Sequence, residues 1–424
     1  EERTQYFVRN IRVEFGTTLV HSRKISIRAM IEMEVGCENL IEEETAVDLE
    51  SSASIYKKQK PVNLLKLHTA KKDTYRIKEE ITIPGTKESI GQVLLTDITG
   101  RKLEVRAAQD ELLLRGELQI FCMYLSEEGK TDWLEQSVPY EGRIECSGAT
   151  EGMYYDVQHA LEDTLADVRM DEDGEMRIIG IEGTVSLRIN LYEEEELNLL
   201  EDLYSLEQKV SYQTREAVYE ELLLQNQSKC KIVENLSLPE LKDDVLQICH
   251  SSGSVQIEHV ETRAEKQGGI LIEGILHVSF LYLKADDALP FGNWQGMVPF
   301  SYLLECPDMP KDVRYQLSNR VEQISVTMTG SDSVEVKAVL DFDVFLRKEV
   351  PMQVITEVSL EETDREELAK KPGIVGYMVK SGDDLWTLAK QYMTTEESIR
   401  QINHLENGKI KPGDKLIICK EIGM

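Results

Sequence analysis

The fold of this chain is best predicted from one stretch, Val334-Glu-Val-Lys-Ala-Val-Leu-Asp-Phe-Asp-Val344. Apolar residues occupy every second position, and most of the positions between them carry a charge. Alternation with period two is typical of a β-strand that has one buried and one solvent-exposed face. The same pattern recurs at residues 25–35 and 179–189. Because strands with one wet face indicate antiparallel sheets, we predict a mainly β protein.

A longer internal repeat surrounds these strands. Residues 77–94 align with the segment that begins at Ile232, and further matching steps follow in the same order. Both copies contain a glycine within a strong strand, Gly116 and Gly274, which predicts a bulge or a close backbone approach. A Val-Pro-aromatic step follows in both copies, and its proline predicts a strand start or an edge strand. Each copy is interpreted as a β-sandwich or a curled sheet of roughly 150 residues.

The repeats divide the chain into a partial copy, two full copies, a linker and a different C-terminal domain. In chain order the predicted limits are 1–60, 61–215, 216–363, 364–373 and 374–424. The first part matches only the second half of a copy, and the chain begins at Glu1 without an initiator Met. We therefore expect the sequence to belong to a longer native protein.

The C-terminal fifty residues have another pattern. Tyr377-Met-Val-Lys-Ser-Gly-Asp-Asp-Leu-Trp386 begins with a short strand, and residues 416–418 predict a second one. Between them, apolar residues recur twice at helical spacing. Asp383 is predicted to cap the first helix, and Thr394, three residues before Glu397, to open the second with a capping box. The order of elements predicts a compact βααβ domain.

These residues and their order resemble a LysM domain, a small βααβ binding module with no catalytic apparatus. In LysM domains the ligand lies in a groove between the loop after the first strand and the loop after the second helix. The resemblance implies a partner-binding surface at Gly382, Asp383, Asp384, Leu385, Trp386, Asn407, Gly408, Lys409 and Ile410. The alternative is that Asp383 only caps, Trp386 only packs and Asn403 only satisfies local backbone.

Asp384 departs from the pattern of glycan-binding LysM domains, which usually have a small hydroxyl residue at this position. A carboxylate accepts hydrogen bonds but does not donate them. This difference disfavours an N-acetylglucosamine polymer and favours a protein ligand, although a carboxylate also suits a helix N-terminus. We expect Asp384 and Leu385 to lie on the loop rather than in the core, so that replacing them weakens docking without unfolding the domain.

The net charge of −30 is unevenly distributed. Residues 374–424 contain seven basic and seven acidic side chains, so the preceding residues carry the whole net charge. Such an acidic surface repels nucleic-acid phosphates and anionic lipid. No window approaches about eighteen uninterrupted apolar residues, so we predict no membrane insertion. The seven cysteines are scattered and include no CxxC pair, which indicates reduced thiols and a cytosolic setting.

Motifs of catalysis are missing from the sequence. It contains no HExxH, no Walker-type glycine loop, no GxGxxG and no GxSxG. Trp133 and Trp294 are the best candidates for a sugar platform, but their matching positions in the repeats favour a packing role. We predict no catalytic residue, no cofactor and no metal site.

The strand pattern of residues 334–344, together with the glycine and Val-Pro-aromatic steps, resembles the SPOCS domain of sporulation proteins from endospore formers. SPOCS repeats followed by a LysM domain resemble clostridial spore-coat morphogenetic proteins of the SipL type. The resemblance implies a non-enzymatic scaffold in the mother-cell cytoplasm, at the forespore surface. Its LysM domain would dock onto the coat basement-layer ATPase, stage IV sporulation protein A, and other coat proteins are further expected partners. The alternatives are binding of a peptidoglycan or chitin-type glycan, and a hydrolase that the LysM domain directs to its substrate.

Overall fold

Long antiparallel strands make up most of the chain. The structure, a computed structural model, describes residues 3–42, 45–51, 54–242, 244–264, 266–284, 290–362, 372–405 and 408–421. These ranges contain an N-terminal hairpin, two larger β units and a small C-terminal domain with two helices. Within the same ranges, none of the helices has the length and apolar character needed to cross a membrane.

The strands are numbered in chain order. The hairpin consists of β1 (Arg3–His21) and β2 (Lys24–Leu40). The first unit consists of β3 (Ile55–Thr82), β4 (Ile90–Ala108), β5 (Glu111–Ser126), β6 (Thr131–Glu145), β7 (Tyr154–Met170) and β8 (Met176–Ser205). The second unit consists of β9 (Gln208–Ser237), β10 (Val245–Arg263), β11 (Gly269–Lys284), β12 (Phe291–Glu305), β13 (Val313–Met328) and β14 (Ser333–Glu362), with a 3₁₀ turn at Pro239–Leu241.

Each unit is a sandwich of two three-stranded antiparallel sheets. In the first unit the sheet β3-β8-β7 faces the sheet β4-β5-β6, and in the second β9-β14-β13 faces β10-β11-β12. Both sheets contribute to one core, in which Leu118 and Ile189 of the first unit are fully buried. Leu276 and Leu340 occupy the core of the second unit. The prediction of a mainly β fold with sandwich-like repeats in series is confirmed.

The stretch that predicted the fold lies in β14, the central strand of its sheet. Val334, Val336 and Leu340 are at most 1% exposed, because the opposite sheet covers this face. Burial of each such side chain contributes about 1.5–3 kcal/mol. A slip of one residue would turn the whole apolar set towards water, so the alternation fixes the register of the strand.

The N-terminal hairpin has the same alternation of apolar and polar residues, but no second sheet covers it in the described part of the chain. Ile25 and Ile27 of β2 are 66% and 67% exposed, although the matching residues of β14 are buried. In the described part of the chain, β1 and β2 form a sheet with each other alone. The hairpin is joined to the second unit through Glu38, which lies 3.0 Å from the guanidinium of the buried Arg347. Most of the apolar side chains described in the hairpin are exposed to solvent.

The paired glycine and aromatic steps of the repeats are cross-strand neighbours. Gly116 lies opposite Tyr140 on the adjacent strand, and Gly274 lies opposite Phe300. Each aromatic ring lies over its glycine so closely that a Cβ there would be within 3.0 Å of ring atoms. Both predicted alternatives apply, because the strand on the other side of each glycine also has a register shift, between Arg101 and Glu104 opposite Gly116 and between Ile257 and His259 opposite Gly274. The prolines of the same steps lie on β6 and β12, which are edge strands as predicted.

The four longest strands continue beyond the sandwiches and form a structure that we call the stalk. It consists of two antiparallel ribbons, residues 55–67 with 192–205 and residues 208–224 with 346–362. The chain passes from the first ribbon to the second at the tip of the stalk, between β8 and β9. The two sandwiches therefore share a common extension, while the exact domain limits given by the repeats stay predictions.

Apolar side chains hold the two ribbons together. Leu199 of the first ribbon and Met352 of the second belong to one cluster, and Leu203 and Ile355 belong to another that includes Leu49. Leu203 and Ile355 are at most 2% exposed. The stalk thus has a small apolar core of its own. This core holds the C-terminal end of β8 at the tip of the stalk.

A histidine socket joins the two sandwiches. His250 of β10 stacks on Phe121 of β5, with ring centroids 4.2 Å apart. Its Nε2 lies 2.8 Å from a carboxylate oxygen of Asp97 on β4, and its Nδ1 lies 3.5 Å from Glu135 on β6. Burial lowers the pKa of the nearby Arg101, and the charges of Glu135 and Asp97 oppose this shift. Burial opposes protonation of His250, but the two carboxylates raise its pKa to about 8.

Gly274→Ala is expected to destabilise the second sandwich by about 1–3 kcal/mol, the typical cost of overpacking. The new Cβ would lie 2.4 Å from the backbone oxygen of Gln256 and 2.9 Å from the Phe300 ring. Urea unfolding followed by tryptophan fluorescence measures the loss. Gly85→Ala is the control, because nothing lies within 4 Å of a Cβ at that position. An equal loss in both variants would contradict the packing account.

His250 is expected to stabilise the junction in a pH-dependent way. Its pKa rises from 6.5 to about 8 in the folded protein, so the stabilisation is complete below pH 6.5 and is lost as the pH rises through 8. The substitution His250→Gln should therefore lower the free energy of unfolding at both pH values. The loss should be about 1–2 kcal/mol larger at pH 6 than at pH 9. The exposed His259 offers a control in His259→Gln. A deficit that does not change with pH would rule out the charge pairing.

Candidate functional site

The C-terminal domain has the predicted βααβ order. It consists of β15 (Ile374–Met378), α1 (Leu385–Tyr392), α2 (Glu396–Ile402) and β16 (Lys415–Cys419), and β15 pairs antiparallel with β16. Val379, Leu388, Ile399 and Ile418 are buried in one apolar cluster. In so small a domain, the loops at the helix ends provide much of the surface on which a ligand could bind.

Asp384, and not Asp383, is the N-cap of α1. Its Oδ1 accepts a hydrogen bond of 2.7 Å from the backbone N–H of Thr387. Burial opposes ionisation of Asp384, but this bond and the charge of Lys58 lower its pKa. Asp383 lies one residue before the cap, where its Oδ2 accepts from the Tyr377 hydroxyl and from the backbone N–H of Lys380. The prediction that Asp383 caps the helix was wrong by one residue.

The second helix also begins one residue later than predicted. Thr395 is the N-cap of α2, and its hydroxyl accepts a hydrogen bond of 3.1 Å from the backbone N–H of Ser398. Thr394, the predicted cap, is fully buried instead. Either of the two adjacent threonines could cap the helix as far as the sequence shows. Thr394 packs into the interior, so Thr395 is the residue that caps.

Asn403 completes the edge of β16. Its side-chain amide donates to the backbone oxygen of Ile417 and accepts from the N–H of the same residue, at 2.8 and 2.7 Å. The amide also donates to the Ile399 oxygen at the end of α2. Asn403 therefore substitutes for a neighbouring strand, as the local-backbone alternative predicted.

The predicted binding loops retain an exposed part. Gly382 is exposed and has a φ of +93°, a conformation that favours glycine. In the second loop Gly408 has a φ of +62° and Lys409 is exposed, whereas Ile410 packs against the apolar cluster. Asn407 lies outside the described residues. The loops therefore present a polar, glycine-containing surface.

Backbone hydrogen bonds bring the two loops together. The segment that follows α2 reaches back to the end of β15, where Gly413 N–H donates to the Val379 oxygen at 2.8 Å. Val379 N–H in turn donates to the Asp414 oxygen at 2.9 Å. The Asp414 carboxylate accepts from the backbone N–H of Lys411 and closes the turn. The start of the first loop and the end of the second are thus joined into one continuous surface.

Leu385 does not lie on the loop. It is the first residue of α1, is 4% exposed and belongs to the apolar cluster of the domain. The expectation that Leu385 lies on the loop rather than in the core was wrong, and truncation of such a buried leucine typically costs about 2–5 kcal/mol. Loss of docking in a Leu385 variant would therefore not identify a contact residue.

Trp386 lies against the tip of the stalk. Its indole N–H donates a hydrogen bond of 2.8 Å to Asp202 near the end of β8. The ring of Tyr204 meets Trp386 edge to face at 4.9 Å, and the Tyr204 hydroxyl donates to the backbone oxygen of Thr394 at 3.0 Å. Tyr204 and Leu206 belong to the same apolar cluster as the core of the C-terminal domain. Trp386 is thus an interface residue within the chain.

Asp202 is the centre of this interface. Its carboxylate also accepts hydrogen bonds from Lys390 of α1 and, at 2.6 Å, from the Tyr212 hydroxyl of β9. Burial opposes its ionisation, yet the hydrogen bonds from Lys390, Tyr212 and Trp386 hold the pKa of Asp202 below its usual range. Asp202 was not predicted from the sequence. It is one of several acidic residues near the end of β8, and its partner Trp386 lies 184 residues later in the chain, so no local pattern indicates the contact.

Comparisons with known families agree with this architecture. The family model of the SipL SPOCS domain matches residues 89–170 and 244–329, and that of the LysM domain matches residues 377–418. The two SPOCS matches coincide closely with β4–β7 and β10–β13, the same four strands of each sandwich. No curated protein and no solved structure matches the chain significantly.

The chain combines SipL-type SPOCS domains with a C-terminal LysM domain. The resemblance seen in the sequence is confirmed, including the repetition of the SPOCS region. This domain content is that of a sporulation protein associated with the spore coat. The SPOCS and LysM families are binding or scaffold domains rather than catalytic ones. In the described ranges, no group of three His, Cys, Asp or Glu side chains has the arrangement of a metal site.

Asn403→Asp is expected to destabilise the LysM domain. The carboxylate can accept from Ile417 but cannot donate to the Ile417 and Ile399 oxygens, and unpaired backbone groups cost about 1–3 kcal/mol. Hydrogen exchange at the β16 amides measures the loss locally. Asn198→Asp, the same chemical change at an exposed position of β8, is the control. Unchanged protection of β16 in Asn403→Asp would contradict the role assigned to the amide.

Proposed function

We propose that this protein is a non-enzymatic scaffold of the spore coat that docks through its LysM domain onto the coat basement-layer ATPase, stage IV sporulation protein A. The observation that carries the proposal is the union of two SPOCS domains and one LysM domain in a single chain. The LysM domain lies at the tip of the stalk, and its exposed loop residues Gly382 and Lys409 are available to a partner.

The state of Asp384 and Trp386 favours a protein partner over a glycan. Asp384 is committed to capping α1 and lies 3.6 Å from Lys58, so the groove offers a carboxylate in place of a hydroxyl donor. While α1 lies against the stalk, Trp386 packs against Tyr204 and is 9% exposed, so in this arrangement its ring does not offer a sugar platform. A glycan-binding LysM domain is the second candidate, and the test below separates the two.

The SPOCS part suits a solvated spacer. It carries the excess of acidic residues, while the LysM residues 374–424 are neutral overall. The stalk and the two sandwiches form a continuous β structure that holds the LysM domain at one end. We infer that the SPOCS domains contribute contacts with other coat proteins and that the protein acts in the mother-cell cytoplasm, at the forespore surface.

Removal of residues 374–424 is expected to abolish binding of the protein to the purified ATPase, and Lys409→Glu to weaken it at least roughly tenfold, as for a residue at an interface hot spot. Calorimetric titration measures both effects. Lys266→Glu, the same charge reversal on an exposed turn of the second sandwich, is the control.

Retained affinity in the shortened chain would contradict docking through the LysM domain. Titration of the intact protein with chitin and peptidoglycan oligomers tests the second candidate, a glycan-binding LysM domain. Binding of those oligomers without binding of the ATPase would favour the glycan candidate.

A further inference from the structure

We propose that the LysM docking face is held closed by the stalk through Asp202, and that binding of the coat ATPase displaces this contact. The inference rests on the proposed function, because it concerns the regulation of the same binding surface. It assigns a role to three stalk residues, Asp202, Tyr204 and Lys58, that have no part in the LysM domain itself.

One carboxylate makes two of the four polar contacts between the stalk and the LysM domain that the described residues show. Asp202 accepts from the Trp386 indole N–H at 2.8 Å, from the Tyr212 hydroxyl at 2.6 Å and from the Lys390 ammonium group. Lys390 also lies over the Tyr212 ring, 5.3 Å from its centroid. Two donors belong to α1 of the LysM domain and one to the stalk, so Asp202 joins the two parts directly.

Aromatic packing adds to the same contact. Tyr56 of β3 stacks on Tyr204 of β8, with centroids 4.9 Å apart, and Tyr204 meets the edge of Trp386. The second polar pair, Lys58 with Asp384, lies 3.6 Å apart at the start of α1. The stalk therefore covers α1 along the side that carries Asp384, Trp386 and Lys390.

The closed arrangement divides the predicted docking surface. Asp384 and Trp386 contact the stalk, whereas Gly382 and Lys409 are exposed. A partner can first meet the exposed loop residues, but it reaches Trp386 only when α1 leaves the stalk. The affinity measured for the intact protein is then the intrinsic affinity reduced by the fraction of open molecules.

Two features indicate that the contact can open. Its polar part consists of a few pairs, two of which share one carboxylate. Among the described stalk residues, three side chains, Tyr56, Tyr204 and Leu206, join the apolar cluster of the LysM domain. In addition, Thr394 is fully buried beside Tyr204, and its hydroxyl has no hydrogen-bond partner among the described residues. A buried hydroxyl without a partner costs free energy that is recovered once water reaches it.

The test uses the full chain with Trp386 as its single tryptophan. The protein has three tryptophans, so Trp133→Phe and Trp294→Phe form a common background for every variant. Asp202→Asn removes the charge that binds Lys390 and leaves one amide oxygen as acceptor. Tyr212→Phe removes one donor and keeps the charge pair. Glu196→Gln removes a negative charge from an exposed position on the same strand and is the control.

Acrylamide quenching of Trp386 reports opening without any partner, and titration with the ATPase reports docking. Asp202→Asn should increase quenching and tighten the apparent Kd roughly tenfold, since loss of a charge-assisted hydrogen bond shifts a two-state equilibrium by about that factor. Tyr212→Phe should lie between the parent and Asp202→Asn, and Glu196→Gln should match the parent. Thermal unfolding confirms that each variant is folded.

Unchanged quenching in Asp202→Asn would overturn the closed contact. Increased quenching with an unchanged or weaker Kd would overturn the masking, because the freed surface would not be the one that binds. If Trp386 is released but no variant binds the ATPase, the proposed partner is wrong, and the closed contact is supported by the quenching alone.

Discussion

Each strand of the two sandwiches has one apolar face, and the need to bury that face decides the rest of the architecture. In β14 the inward residues are almost fully covered because a second sheet lies opposite them. A single sheet cannot satisfy such strands, so every SPOCS repeat requires two. The N-terminal hairpin shows the reverse situation, since it has the alternation but no facing sheet in the described residues.

The length of the central strands connects the sandwiches to the binding domain. β8 and β14 continue past their own cores and pair with β3 and β9 as the ribbons of the stalk. The end of β8 then supplies Asp202 and Tyr204, which contact the LysM domain. β8 therefore begins inside a SPOCS core and ends at the LysM domain. It is one continuous strand from that core to Asp202.

The sequence was sufficient for features that depend on local patterns. Period-two alternation identified the strands. The helical spacing of Leu385, Leu388 and Ala389, and that of Ile399 and Ile402, identified the two helices. It failed where neighbouring residues offer the same chemistry, as with Asp383 and Asp384 or Thr394 and Thr395, because tertiary packing chooses between them. It could not reveal the contacts of Asp202 or His250, since these join elements that are far apart in the chain and carry no spacing signal.

The proposed scaffold function depends on the LysM loops as the docking surface. Hydrogen exchange of the full chain, measured alone and in complex with the basement-layer ATPase, tests it most directly. We expect new protection at residues 380–384 and 408–411, at the exposed side of the LysM domain. Protection confined to the SPOCS sandwiches or to the N-terminal hairpin, with the LysM loops unchanged, would contradict it.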